Sequence, residues 1–392
     1  MDAAVKNNQL SSASYKSLGA GAAPPVGRYS YAWANYYGSY LGHYSAGAQT
    51  LPSAGSSSDQ NAASAAKTVT GTYTAGAGKS VYTNEPVSAA AANVRPLAVM
   101  MPTDKAAQPS YGISRADVLY EIMEEGNISR QMAIIPSWQD LSRIGNLRSC
   151  RLYYIYAAKE WDPILIHFGG VAYMKGVIDA PDINNLSGTY EYGVGGKAPG
   201  AGYFFRSSDR SAPHNAYISA SGIQKACTTL GYPVTLRSGY YNPSHFRFAS
   251  GVNDLSSAPN AAAANTIDLS SVFPYTHPTF TYDASSGLYK KNIHGGAHTD
   301  AINGKQLAFA NVIIQNTKWE QLDKKGYLGF NMLDTTEDGY FFTKGKCIHI
   351  NWKKTGDYTP TRYYDDSGKE IELNTGKTYI GIAQKGKKVS FR

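Results

Sequence analysis

The chain has 392 residues, of which 42% are apolar and 17% charged, enough to bury a sizeable core and too long for one average domain. Its net charge of +8 is spread without a basic run, which speaks against a nucleic-acid arm and for a mildly anionic environment such as a cell wall. The isolated cysteines Cys150, Cys227 and Cys347 exclude a zinc knuckle and a disulfide framework, and no apolar stretch is long enough to span a bilayer.

Residues 1–92 are tracts of Gly, Ala and Ser, such as GAGAAPPVG and SAGSSSDQNAASAAK, interrupted by the tyrosine-rich YSYAWANYYGSYLGHYS. So few large aliphatic side chains cannot offset the entropy of ordering, so a disordered stalk is expected. A stalk of this kind suits a protein tethered outside a membrane. Neither a leader nor an early cysteine for a lipid is visible, so removal of a signal segment is expected.

From residue 93 to 244 an α/β (or α+β) domain with a mixed sheet is expected. RPLAVMMP (95–102) is a buried strand between prolines. VLYEIMEEG is an outer strand or a helix, and Gln131–Trp138 is strand-like. SCRLYYIYAAKEWD (149–162) carries Leu152, Ile155 and Tyr156 at helical spacing. ILIHFGG (164–170) is a buried strand ending in a glycine pair. Residues 171–213 suggest an irregular loop over the sheet edge, and ISASGIQKACTTLG (218–231) a helix closed by Gly231. From 245 to 392 short strands with D-x-S-G, K-G and D-G turns predict a second, smaller, mostly-β domain, with AAAAN (261–265) as a loop.

RPLAVMM, ISRADVLYE, EGNISRQMAII, RIGNLRSCR, DPILIHFGG and APHNAY occur in the order found in the N-terminal domain of the YerB-like bacterial lipoproteins. HTDAINGKQLAFANVIIQ, DGYFFTKGKCIHINWKK and LNTGKTYIGI resemble the matching C-terminal domain. The resemblance covers roughly residues 93–390 and implies a cell-envelope location and a two-domain layout, but no reaction. The family usually has IGPVRSAR where this chain has IGNLRSCR, and often HAGGS where it has HFGGV.

Arg148 and Arg151, three apart at the expected helix start, are candidates to share a face, with Arg130 pointing the same way. Guanidinium forks and free first-turn N–H groups both suit a phosphate or carboxylate. The competing account is internal pairing with Asp117, Glu121, Glu124 or Asp140. His167 sits near the end of a predicted strand, where ligands of open α/β sheets gather, though a satisfied core histidine would look the same. His214 and Asn215, in the loop DRSAPHNAY beside Arg206, Asp209, Arg210 and Ser211, complete the candidate set. His294, His298 and Asp300 in HGGAHTD suit a loop-capping turn better than a metal, because the glycine pair argues against a helix.

No nucleophile elbow, phosphate-binding loop or dinucleotide fingerprint is present, so no catalytic residue, cofactor or metal is assigned. The expected function is an envelope protein that binds an anionic cell-wall or lipid-phosphate ligand through an arginine-lined cleft, with no nucleic-acid partner. The alternative is a phosphotransferase or hydrolase acting on a phosphorylated cell-wall or lipid-linked substrate. A loose likeness to the LytR–CpsA–Psr phosphotransferases, in which arginines hold a polyprenyl pyrophosphate, supports it at the level of fold analogy.

Overall fold

The computed structural model describes residues 78–189, 201–333 and 337–392; most of the stalk, including its tyrosine-rich stretch, and most of the glycine-rich loop 193–202 lie outside them. Eleven segments form one sheet: β1 (Leu97–Pro102), β2 (Val118–Met123), β3 (Ser129–Ile135), β4 (Ile164–His167), β5 (Asn185–Ser187), β6 (Ala262–Ala263), β7 (Asn311–Thr317), β8 (Glu337–Thr343), β9 (Lys346–Lys353), β10 (Arg362–Tyr364) and β11 (Thr378–Gln384). Their spatial order is β6-β9-β8-β7-β11-β2-β3-β1-β4-β5, with β10 beside β9. The sheet is mixed. β1–β4, β4–β5, β7–β11 and β11–β2 are parallel, and the other pairs antiparallel.

β1, β2, β3 and β11 are buried at every position, which is why their sequences show no alternation, with polar residues such as Glu121, Arg130 and Gln131 buried among the apolar ones. VLYEIMEEG is therefore a strand, and a central one rather than an outer one. β11 lies against it in parallel, Tyr379 beside Leu119 and Ile380 beside Tyr120, so the α/β half and the mostly-β half contribute to one sheet and one hydrophobic core. Among the described residues no helix follows Leu230.

Three helices matter here: α1 (Leu152–Lys159), α2 (Lys175–Ile178) and α3 (Ala220–Leu230). All eight residues of α1 are buried, so the predicted one-sided face is absent: the helix is packed all round. α3 behaves as its sequence says, with Ser219 accepting from the Gly222 N–H at its start and Gly231 left-handed at φ 67° at its end. No helix among the described residues is long and apolar enough to cross a membrane.

Several local expectations need correction. Ordered structure begins before residue 93: Gly78–Lys79 pairs with Pro86–Val87, and Tyr82 is buried and stacked on Trp161 at 5.4 Å. The 171–213 region is not one loop, because α2 and β5 lie within it and β5 extends the sheet. Ala262–Ala263 pairs with the start of β9 instead of looping freely. Asp338–Gly339 lies inside β8 rather than at a turn. A Cβ on Gly339 would sit 2.1 Å from the Ile314 carbonyl, so glycine there serves close strand approach. Lys344–Gly345, both at positive φ, does form the turn between β8 and β9.

Candidate functional site

The RIGNLRSCR segment is mostly extended. Ile144–Gly145 pairs with Tyr217–Ile218, Leu147 N donates to Ala216 O (2.8 Å), and Arg148 N donates to Met100 O within β1 (3.0 Å). The Arg148 carbonyl accepts from Phe168 N (2.9 Å), and Cys150 N donates to Gly169 O (3.0 Å). Helix α1 starts only after Arg151, its N-cap, whose side chain makes no capping bond. Arg148 therefore precedes the helix, and the helical i, i+3 argument does not apply to the pair. In the glycine pair of HFGG, Gly169 has φ 81°, a left-handed backbone that favours glycine, while Gly170 lies against the flexible tip of Met174.

Carboxylates from the turn after β2 claim two of the three candidate arginines. Glu124 Oε1 lies 2.5 Å from Arg130 Nη2, and Glu124 Oε2 lies 2.9 Å from Arg151 Nη2. Glu125 takes a second pair of contacts from Arg151, to Nε at 3.0 Å and to Nη2. Carbonyls occupy further donors: Arg130 Nη1 bonds Ser149 O (2.7 Å) and Arg151 Nη1 bonds Cys150 O (2.9 Å). Burial raises the Glu124 carboxyl above its usual range, against the pull of Arg130 and Arg151. Burial also works against Glu125, but the hydrogen bonds from Arg151 bring it below the usual range. Of the internal partners foreseen, Glu124 is the one used; Asp140 pairs with Arg115 and Glu121 with Lys291.

Arg148 is different. Its guanidinium makes no hydrogen bond or ion pair with a described residue, and its Nη1 is buried without a partner. Burial and the neighbouring Arg130 lower its affinity for its proton, while Asp104 and Glu124 raise it. His214 lies within electrostatic reach, its Nδ1 likewise buried and unpartnered. Partial burial depresses its pKa, with Asp104 acting in the other direction and Arg148 and Arg210 reinforcing the shift.

The remaining candidates do other work. His167 is fully buried, its Nδ1 2.8 Å from Gly169 O and its Nε2 3.2 Å from Asn185 Oδ1; burial lowers its pKa against these two oxygens, and both ring nitrogens face the core rather than a ligand. Asn215 closes its own loop, its Oδ1 accepting from Arg206 Nη1 (2.5 Å) and its carbonyl from Ser207 N (3.1 Å). His294 Nε2 bonds Thr103 O (2.7 Å), and His298 Nδ1 faces the Lys291 ammonium at 3.4 Å, an arrangement hostile to a cation. Asp300 accepts from Gly112 N (3.1 Å) and Ser114 N (2.8 Å), capping a loop of the other half.

Asp104 and Gln108 escaped sequence reasoning. Both lie on the loop after β1, and Asp104 Oδ2 and Gln108 Oε1 are buried without partners. Asn146 binds this loop to the others: its Nδ2 donates to Ala107 O (3.0 Å) and His214 O (2.9 Å), and its Oδ1 accepts from Ser110 (3.0 Å). Arg210 clamps the same loop through Ala107 O and Pro109 O. Asn146 and Arg210 thus hold together the three segments that carry Arg148, His214, Asp104 and Gln108, each with a buried polar atom left without a partner, and these form a polar recess.

Residues 82–233 match the model described as "Protein of unknown function (DUF3048) N-terminal domain", and residues 269–380 match its C-terminal counterpart. The chain belongs to the YerB-like family. It is 28% identical over 289 residues to the "Putative lipoprotein YerB" of Bacillus subtilis (strain 168), covering 74% of this chain and 81% of that protein. The crystal structure of YerB from Bacillus subtilis superposes with a TM-score of 0.66 at 24% identity, covering 80% of this chain and 99% of that one, a likeness of fold. Within the signature, Asn146 is the residue tying the three recess segments together.

Proposed function

We propose that this chain is a cell-envelope protein that binds an anionic ligand through Arg148, with His214 beside it. One observation carries the reading: of the arginines in and beside the signature, Arg148 alone is left without a carboxylate or carbonyl on its guanidinium. Arg130 and Arg151 contribute a rigid wall, because Glu124 and Glu125 hold them in place and offset their charge. A guanidinium withdrawn from bulk water binds an anion more strongly than an exposed one, since the surrounding dielectric is lower. The lipoprotein name of the Bacillus subtilis relative supports the envelope location.

The test is calorimetric titration with inorganic phosphate of the wild-type protein and of Arg148→Gln. Saturable binding that Arg148→Gln abolishes and Arg206→Gln leaves intact supports the reading. Binding that survives Arg148→Gln unchanged contradicts it.

A further inference from the structure

Buried polar atoms are ordinarily partnered, and each one left bare costs free energy. The recess holds four such atoms on three chain segments: Arg148 Nη1, His214 Nδ1, Asp104 Oδ2 and Gln108 Oε1. Their chemistry is of two kinds. Arg148 only donates, whereas a carboxylate oxygen and an amide oxygen only accept. The amide nitrogen of Gln108 is spent on Pro102 O (3.0 Å) and Asp104 O (3.5 Å), which fixes the side of the amide that its oxygen occupies. Asp104 opens the short turn Lys105–Ala107, yet its side chain makes no capping bond there. Asp104 acts on Arg148 electrostatically, but the two form no ion pair.

A simple anion satisfies only half of this arrangement. Bound to Arg148, it would face the Asp104 carboxylate and leave both acceptors bare. A ligand with a positive donor beside its anionic group matches both halves, antiparallel to the dipole from Arg148 to Asp104. Resting on the anion-binding reading, we propose that the recess takes a small zwitterion whose ammonium and anionic groups lie a few atoms apart, as in an α-amino acid. Arg148 receives the carboxylate. Asp104 and Gln108 receive the ammonium, and His214 Nδ1 closes the carboxylate side. Asn146 and Arg210 keep the loops in register, and their polar groups are spent on Ala107, Pro109, Ser110 and His214.

The experiment titrates the full chain with alanine of either hand, propionate, ethylamine and inorganic phosphate, followed by calorimetry. Propionate lacks the ammonium and ethylamine the carboxylate. Alanine is expected to bind at least roughly tenfold tighter than either, the scale of one hydrogen bond to a charged group. Asp104→Asn should reduce alanine to the level of propionate while leaving phosphate binding equal or stronger. Gln108→Met, which changes no charge, should weaken alanine and spare propionate. If phosphate or propionate binds and alanine binds no tighter, the zwitterion is overturned and the anion site stands. If no probe binds the folded wild-type protein, both fall.

Discussion

In the interior of the shared sheet, Glu121 meets Lys291 at 3.0 Å and accepts from Ser129 (2.7 Å), Gln131 (2.8 Å) and Tyr379 (3.1 Å). A second interior carboxylate, Glu160, accepts from Tyr120 (2.6 Å), Thr361 N (2.7 Å) and Lys354 (3.0 Å). At the recess, by contrast, Asp104 and Arg148 stand near each other with unpartnered atoms. Residue types are similar in the two regions, yet their uses differ. Where a carboxylate is held by several donors drawn from both halves of the chain, charge serves architecture, even though single atoms such as Gln131 Oε1 and His298 Nε2 stay bare there. Where segments are held by other bonds and the charged tips stay bare, charge is left over for a ligand.

The strongest way to break this comparison is to unpair the interior. Lys291→Met leaves Glu121 buried and uncompensated, and is expected to cost about 3–5 kcal/mol in urea unfolding. A loss below about 1 kcal/mol, within the range of an exposed pair, would show that the interior network is not the structural one. Arg151→Met strips Glu124 and Glu125 of one partner. Its expected cost is smaller, about 2 kcal/mol, because the Glu125 side chain is 28% exposed.

A pH series sharpens the interior side. Burial and the adjacent Lys291 hold the pKa of His298 well below the usual imidazole value. The unfolded chain then binds the extra proton first, so this stability is present above about pH 6.5 and is lost as pH falls. Relative to His298→Asn, the wild-type protein should lose about 1 kcal/mol of unfolding free energy between pH 6.5 and 5.5. Parallel curves for the two proteins would mean that the imidazole titrates freely. The thiols offer a weaker probe of the same interior. Burial pushes Cys150 up to about 12 and Cys227 up to about 11, and raises Cys347 as well. All three should resist iodoacetamide at pH 8 in the folded protein and react in denaturant. Rapid labelling of Cys150 in the folded state would place solvent at the signature.

Features of the sequence that act locally were legible. The caps Ser219 and Gly231 delimit α3, and Lys344–Gly345 makes its hairpin, because a few adjacent residues decide each outcome. The YerB-like motifs carried the family and the α/β-then-β order. Long-range pairing was not legible. Nothing in TYIGIAQ says that it lies beside VLYEIM, more than two hundred residues earlier, since a run buried on both faces has no period to read. Among the site residues, the arginines were visible as a charge oddity, but Glu124 and Glu125 could be assigned to them only through the turn after β2. His167 looked like a strand-end ligand and proved to face Gly169 and Asn185 inside the core. Asp104 and Gln108 carried no signal, because their significance lies in what they fail to bond.

The most direct measurement sets Arg148→Gln against the wild-type protein in two readouts, urea unfolding and phosphate titration. The account expects a stability change within about 0.5 kcal/mol together with complete loss of phosphate binding, since Arg148 has no internal partner to lose. A variant that unfolds as readily as Arg151→Met, or that binds phosphate as the wild-type protein does, would contradict it.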